Sequence, residues 1–106
     1  MSIELSPILK KYNDYTLAVM CPGCKQRHLV WIAHPDNPNP HICWDWNKDI
    51  IKPTFNPSLK VEYPWWDGEK NIDVVCHSFI RDGLIQFLND CTHELSGKTV
   101  PLATFE

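Results

Sequence analysis

The sequence predicts a mainly β, single-domain fold: a small zinc-stapled β-sheet protein with zinc-ribbon-like hairpins and little helix. Short β-prone segments alternate apolar and polar residues, and turns rich in proline and glycine separate them. No amphipathic helix of useful length and no internal repeat is present. The third observation is CPGC at 21–24, which is half of a tetrahedral zinc site. At 106 residues, one zinc-binding domain over 1–106 is expected.

The first half of the chain predicts one hairpin. Residues 1–19 are interpreted as an N-terminal extension, of which residues 1–15 are expected to form a short edge strand or a loose turn. YTLAVM and LVWIA are β-prone and flank the CPGC turn, so we expect a strand, a turn and a second strand. PDNPNP at 35–40 is a proline-rich loop by composition.

The second half predicts further strands at ICWDW and SLKVEY, while Pro53 and Pro57 exclude a long helix between them. PWWDGEKN forms a turn around Asp67-Gly68. IDVVCHSFI and LIQFLNDC flank RDG, which predicts a three-residue hairpin loop with a glycine bulge. Pairing Ile80 with Leu84 then places His77 on the opposite face from Cys76 and Asp90. THELS is expected to form one helical turn closed by Gly97, followed by a strand at KTVPL.

Composition excludes several classes of protein. The formal net charge is −3 and no block of Lys and Arg is present, so nucleic acid is not the expected partner. No apolar run reaches the ~18 residues of a membrane span. We see no signal peptide and expect a protein of the host-cell cytoplasm. Five cysteines, an odd number, then favour metal ligation with leftover thiols over a disulfide framework.

The CPGC turn aims Cys21 and Cys24 at one point, and a zinc ion needs two more ligands. A redox CxxC would open a helix in a βαβ unit, which the sequence does not predict. We predict Zn²⁺ bound by Cys21, Cys24, Cys76 and either Cys91 or His93, a closed structural site. The role of His28 stays open among ligand, support for a ligand and structural residue. Three residues are assigned ordinary structural or surface roles: His34, His41 and Cys43.

Several of these segments resemble a family of small phage and prophage proteins of undefined function, some labelled "ammonia monooxygenase". The shared segments are CPGC followed by His28, KPTFNPSL, and CHSFIRDGLIQFLNDCTHELSGKTVPL. Nothing in the chain resembles a membrane copper oxygenase. The similarity covers residues from about 20 to 102. It implies a phage-encoded, zinc-binding protein and no particular reaction.

Two classes of function compete. The first is a protein-binding or accessory module that engages a host or phage protein, one version being a counter-defence inhibitor. Its candidate contacts are Trp44, Trp46, Trp65 and Trp66. The alternative is a zinc-dependent or Cys/His hydrolase. Its candidate residues are His77, Ser78, Asp90, Cys91 and His93, with Thr54 and Ser58 nearby. A nucleic-acid-binding zinc ribbon is disfavoured by the charge.

Overall fold

The computed structural model describes residues 2–38 and 43–105, and these contain nine strands and no helix. The strands are β1 (Ile3–Ser6), β2 (Leu9–Asn13), β3 (Thr16–Cys21), β4 (Gln26–Trp31), β5 (Asp45–Trp46), β6 (Phe55–Trp66), β7 (Asn71–Arg81), β8 (Leu84–Phe87) and β9 (Thr99–Pro101). They form two antiparallel sheets, in the orders β1-β2-β3-β4 and β5-β6-β7-β8-β9. The mainly β prediction is confirmed. The described residues contain no helix that could cross a membrane.

One hydrophobic cluster joins the two sheets. The first sheet contributes the buried side chains of Leu17, Val19 and Val30. The second sheet contributes buried residues at alternating positions, among them Ile80 and Phe87. Alternation with period two therefore leaves one face of β7 in the core and the other face toward solvent.

The CPGC hairpin is confirmed: β3 and β4 pair from Thr16–Trp31 to Cys21–Gln26 and enclose the turn. The N-terminal extension, expected as one edge strand or a loose turn, forms the two strands β1 and β2. Within the predicted strand ICWDW, Ile42 lies outside the described residues, and Asp45–Trp46 form β5, which pairs with Phe55 and Asn56 at the start of β6. Asn39, Pro40 and His41 of the predicted loop region lie outside the described residues.

The predicted register of the β7–β8 hairpin is wrong by one residue. Ile80 pairs with Ile85 and Arg81 with Leu84, so the loop has two residues instead of three. Asp82 and Gly83 both have positive φ, 52° and 77°, as a type I′ turn requires. The slip turns Ile85 and Phe87 into the core, away from the face of His77.

The prediction of one helical turn at THELS is also wrong. This segment makes two tight turns, in which Ser96 N–H donates to the His93 carbonyl and Lys98 N–H to that of Leu95, at 3.2 and 3.0 Å. No α-helical turn forms at these residues. Gly97 has a φ of 78° and closes the segment, as expected, before β9 begins.

Candidate catalytic triad and metal centre

A serine, a histidine and an aspartate form a continuous hydrogen-bonded row on the outer face of the second sheet. Ser58 Oγ lies 3.0 Å from His77 Nε2. On the other side of the ring, His77 Nδ1 lies 3.2 Å from Asp90 Oδ2. These side chains come from β6, from β7 and from the segment after β8.

The sheet explains why these residues meet. His77 is opposite Lys60 on β6, so Ser58 is its diagonal neighbour on the same face. After β8 the chain continues to follow β7, because Leu88 N–H donates to the His77 carbonyl at 2.9 Å. Thr92 N–H donates to the Val75 carbonyl at 3.0 Å, which brings Asp90 beside the His77 ring. The predicted separation of His77 and Asp90 on opposite faces is therefore wrong, because it depended on the wrong hairpin register.

The two contacts assign the roles of the imidazole nitrogens. A carboxylate accepts hydrogen bonds only, so Nδ1 carries the hydrogen and donates to Asp90. Nε2 is then an acceptor for the Ser58 hydroxyl. This is the tautomer in which a histidine can remove a proton from a serine. The His77 side chain is 24% exposed and that of Asp90 is 49% exposed, so the row opens to solvent.

On the opposite face, four residues could hold a metal ion. Ligand atoms of Cys21, Cys24, His28 and Cys76 all lie within 4.8 Å of one another. The CPGC turn presents the first two thiols, and Cys24 N–H donates to the Cys21 sulfur at 3.3 Å. His28 follows on β4, and Cys76 projects from β7 toward the core. His28 Nε2 is buried and has no hydrogen-bond partner, as a nitrogen intended for a metal would be.

The charges in this group also fit a cation. The Cys76 thiol lies 3.8 Å from Cys21 and, by donating to its sulfur, lowers the pKa of Cys21 to about 4. The same contact raises the pKa of Cys76, while burial and the Cys21 thiolate raise that of Cys24. Burial and the Cys24 contact likewise raise the pKa of Tyr63 to about 12. A zinc ion bound here would deprotonate all three thiols.

A second group contains Cys76, Cys91 and His93, whose ligand atoms also lie within 4.8 Å of one another. His93 Nδ1 accepts the Leu95 N–H at 3.2 Å, so in the neutral ring Nε2 carries the hydrogen and has no free lone pair. Cys91 Sγ is engaged with the backbone of His77, 3.2 Å from both its nitrogen and its oxygen. His93 Nε2 is buried without a hydrogen-bond partner, as His28 Nε2 is. The predicted ligand set with Cys91 or His93 stays a prediction.

The remaining predicted residues are spread over the molecule. Trp44 and Trp46 are partly buried against the core, whereas Trp65 and Trp66 are 51% and 60% exposed. Thr54 Oγ1 accepts the Asp82 N–H at 2.8 Å and supports the β7–β8 loop. His34 Nδ1 accepts the Asp36 N–H at 3.1 Å, and Cys43 is partly exposed.

The comparison with protein families identifies the family of this chain. Residues 4–88 match the model described as "Bacterial ubiquitination-like system serine protease (BubE)". This span covers most of the chain, so the protein belongs to the BubE family. It includes Ser58 and His77 and ends two residues before Asp90. No curated protein and no solved structure matched the chain.

Sequence reasoning named Ser58 only as a neighbour of other candidates. Its segment, PTFNPS, contains no G-x-S-x-G motif, and its partners lie 19 and 32 positions further along the chain. The available signal was that Ser58 and His77 occupy two neighbouring predicted strands. Only the correct register could show that both side chains share a face.

Proposed function

We propose that this protein is a serine protease whose nucleophile is Ser58, with His77 as the general base and Asp90 as the carboxylate that orients it. The observation that carries the proposal is the unbroken row from Ser58 Oγ through the His77 ring to Asp90 Oδ2. Membership of a family described as serine proteases supports it independently.

The geometry suits acyl transfer. Ser58 Oγ attacks the carbonyl carbon of a peptide bond while His77 Nε2 takes its proton. Asp90 accepts the Nδ1–H bond and stabilises the imidazolium that results. His77 then returns the proton to the leaving amine as the C–N bond breaks, and water releases the acyl group from Ser58 by the reverse sequence.

The four possible metal ligands lie on the opposite face of the sheet from Ser58 and would support the site structurally. We infer that Cys21, Cys24, His28 and Cys76 hold a structural Zn²⁺, because three thiols and one imidazole match the donors that such sites use. A bound zinc would supply folding free energy and fix β7 against the CPGC turn. This replaces the hydrolase alternative in which zinc or Cys91 performs the chemistry, since neither is needed to activate Ser58.

The family description places BubE proteases in a bacterial ubiquitination-like system. We propose that the substrate of this protein is a polypeptide of such a system, which is a ubiquitin-like protein or its conjugate. Binding of a host or phage protein through exposed tryptophans is a second, compatible proposal. The exposure of Trp65 and Trp66 favours it, and a counter-defence role would be one form of such binding.

Paired serine variants test the proposed nucleophile. A mixture of peptides from a digested bacterial proteome is incubated with the zinc-loaded protein, and new termini are identified by mass spectrometry. We expect cleavage by the natural protein and none by Ser58→Ala. Ser78→Ala is the matched control, because Ser78 is next to His77 but its hydroxyl is buried on the other face without a partner. Equal cleavage by Ser58→Ala would exclude Ser58 as the nucleophile.

A further inference from the structure

The strand that carries Ser58 has one open edge. β7 pairs with β6 at Phe55 and again from Leu59 to Trp66, with a register shift between them, whereas β5 pairs with β6 only at Phe55 and Asn56. Between Ser58 and Trp66, no backbone within 2–38 or 43–105 pairs with the other side of β6. Among the described residues, the position beside β6 that β5 occupies at one end is therefore unpaired along the rest of the strand.

Two observations show which backbone groups face this edge. The Ser58 carbonyl accepts a hydrogen bond from Trp44 Nε1 at 3.2 Å, and Trp44 directly precedes β5. Backbone groups of alternate residues face the same side of a strand, so those of Lys60, Glu62 and Pro64 face the open edge as well. Pro64 agrees with this assignment, because a proline at that position removes no bond from the β6–β7 ladder. Lys60 and Glu62 each offer an N–H and a carbonyl there.

The position of His77 indicates that a substrate reaches Ser58 from the side of β6 that faces away from β7. His77 lies on β7 and contacts Ser58 Oγ from that strand. A substrate carbonyl must approach Oγ away from His77, over the outer face or from the open edge of β6. A polypeptide lying next to β6 would place a main-chain carbonyl beside Ser58 and its neighbouring amides opposite Lys60 and Glu62.

The side chains along this edge argue against a second copy of the chain as its occupant. Lys60 Nζ and Glu62 Oε1 form an ion pair at 3.1 Å, and Pro64 follows. Charged residues and proline on an edge strand discourage pairing between folded proteins of the same kind. An extended, unfolded segment can still pair, because it adapts to the charges and needs only some of the backbone bonds.

We propose that the substrate binds as an added β-strand on the open edge of β6, with its scissile carbonyl at Ser58 and main-chain hydrogen bonds to Lys60 and Glu62. This inference rests on the proposed protease function and specifies its substrate: an extended tail or linker, recognised mainly through its backbone. Folded regions of the same substrate would lie beyond the strand.

A proline substitution tests the inference in the protein. Glu62→Pro removes one edge-facing N–H, in the way that Pro64 already does, and Glu62→Ala removes the same carboxylate but keeps the N–H. The probe is a ten-residue peptide taken from a cleaved member of the proteome-derived mixture. We expect kcat/KM of Glu62→Pro to be about 3-fold to 10-fold below that of Glu62→Ala, the loss of one hydrogen bond. Circular dichroism and zinc content establish that both variants fold.

Backbone methylation of the same peptide tests the inference without altering the protein. Each amide nitrogen is methylated in turn, and we expect cleavage to fall at every second position on one side of the scissile bond, because alternate amides of a strand face β6. If Glu62→Pro and Glu62→Ala are equally active and methylation shows no alternation, the inference is wrong. It is also wrong if a fluorophosphonate labels Ser58 but no extended peptide is cleaved. Cleavage that does not depend on Ser58 would instead overturn the proposed function.

Discussion

Cys76 and His77 are neighbours in β7, and their side chains leave opposite faces of the sheet, one for the metal group and the other for the triad. Cys76 is buried next to Cys21, and His77 lies between Ser58 and Asp90 on the outer face. A single peptide unit therefore connects the residues that hold the proposed zinc ion to the proposed general base. We therefore expect loss of the metal to displace His77 from its position between Ser58 and Asp90.

We expect Cys76→Ser to bind less zinc, to unfold at a lower temperature and to lose protease activity. The physical reason is that a serine hydroxyl is a poor zinc ligand, so β7 loses its attachment to the CPGC turn. Metal analysis, thermal unfolding and peptide cleavage measure the three effects. Cys43→Ser, at a cysteine outside both metal groups, is the control and should retain zinc. Full activity in zinc-free Cys76→Ser would contradict the proposed coupling.

Two histidine variants should separate the two metal groups. We expect His28→Gln to reduce the zinc content of the purified protein, because its Nε2 is buried and unpartnered next to the thiols. His93→Gln should retain one zinc per chain, since His93 Nδ1 already accepts the Leu95 N–H. Elemental analysis after dialysis provides the measurement. The reverse result would assign the fourth ligand to His93.

Cys91 should position His77 through its backbone. Its sulfur lies 3.2 Å from both the nitrogen and the oxygen of His77. We expect Cys91→Ala to lower kcat about 10-fold with little change in KM, because both backbone contacts are lost. Cys91→Ser keeps a donor and an acceptor and should recover part of the rate. Loss of zinc in both variants would show that Cys91 is a ligand instead.

Asp90→Asn should lower kcat about 100-fold or more while the fold is retained. An amide can donate to Nδ1 and so favours the tautomer whose Nε2 carries the hydrogen and cannot accept from Ser58. Steady-state cleavage of the ten-residue peptide measures the effect. Asp73→Asn, an exposed aspartate further along the same face, is the control. If the two variants have equal rates, Asp90 has no role in orienting His77.

Gly23 should tolerate no side chain. A Cβ at this position would lie 2.3–2.6 Å from ring atoms of His93. We expect Gly23→Ala to lower the free energy of unfolding by about 1–3 kcal/mol, measured by urea denaturation. The double variant Gly23→Ala/His93→Ala removes the clash, so its cost should be smaller than the sum of the single costs. Additive costs would show that the two residues do not interact.

The sequence predicted the parts of this protein that depend on local pattern. The CPGC hairpin follows from β-prone segments around a Pro-Gly turn, and three of its metal-binding candidates, Cys21, Cys24 and Cys76, lie together in the structure. The Ser58–His77–Asp90 row depends on how neighbouring strands of the second sheet pair. The length of the loop that joins two such strands fixes their register. RDG was interpreted as a three-residue loop, and this error separated Asp90 from His77. The contact between Ser58 and His77 depends instead on the β6–β7 register, which the sequence analysis did not predict.

Mass spectrometry of a fluorophosphonate adduct tests whether Ser58 is the activated nucleophile of this protein. The zinc-loaded protein is treated with a fluorophosphonate, digested, and the modified residue is identified. We expect one adduct per chain on Ser58, which is absent in His77→Ala and still present in Ser78→Ala. An adduct on another residue, or an unmodified Ser58 in protein that cleaves peptides, would contradict it.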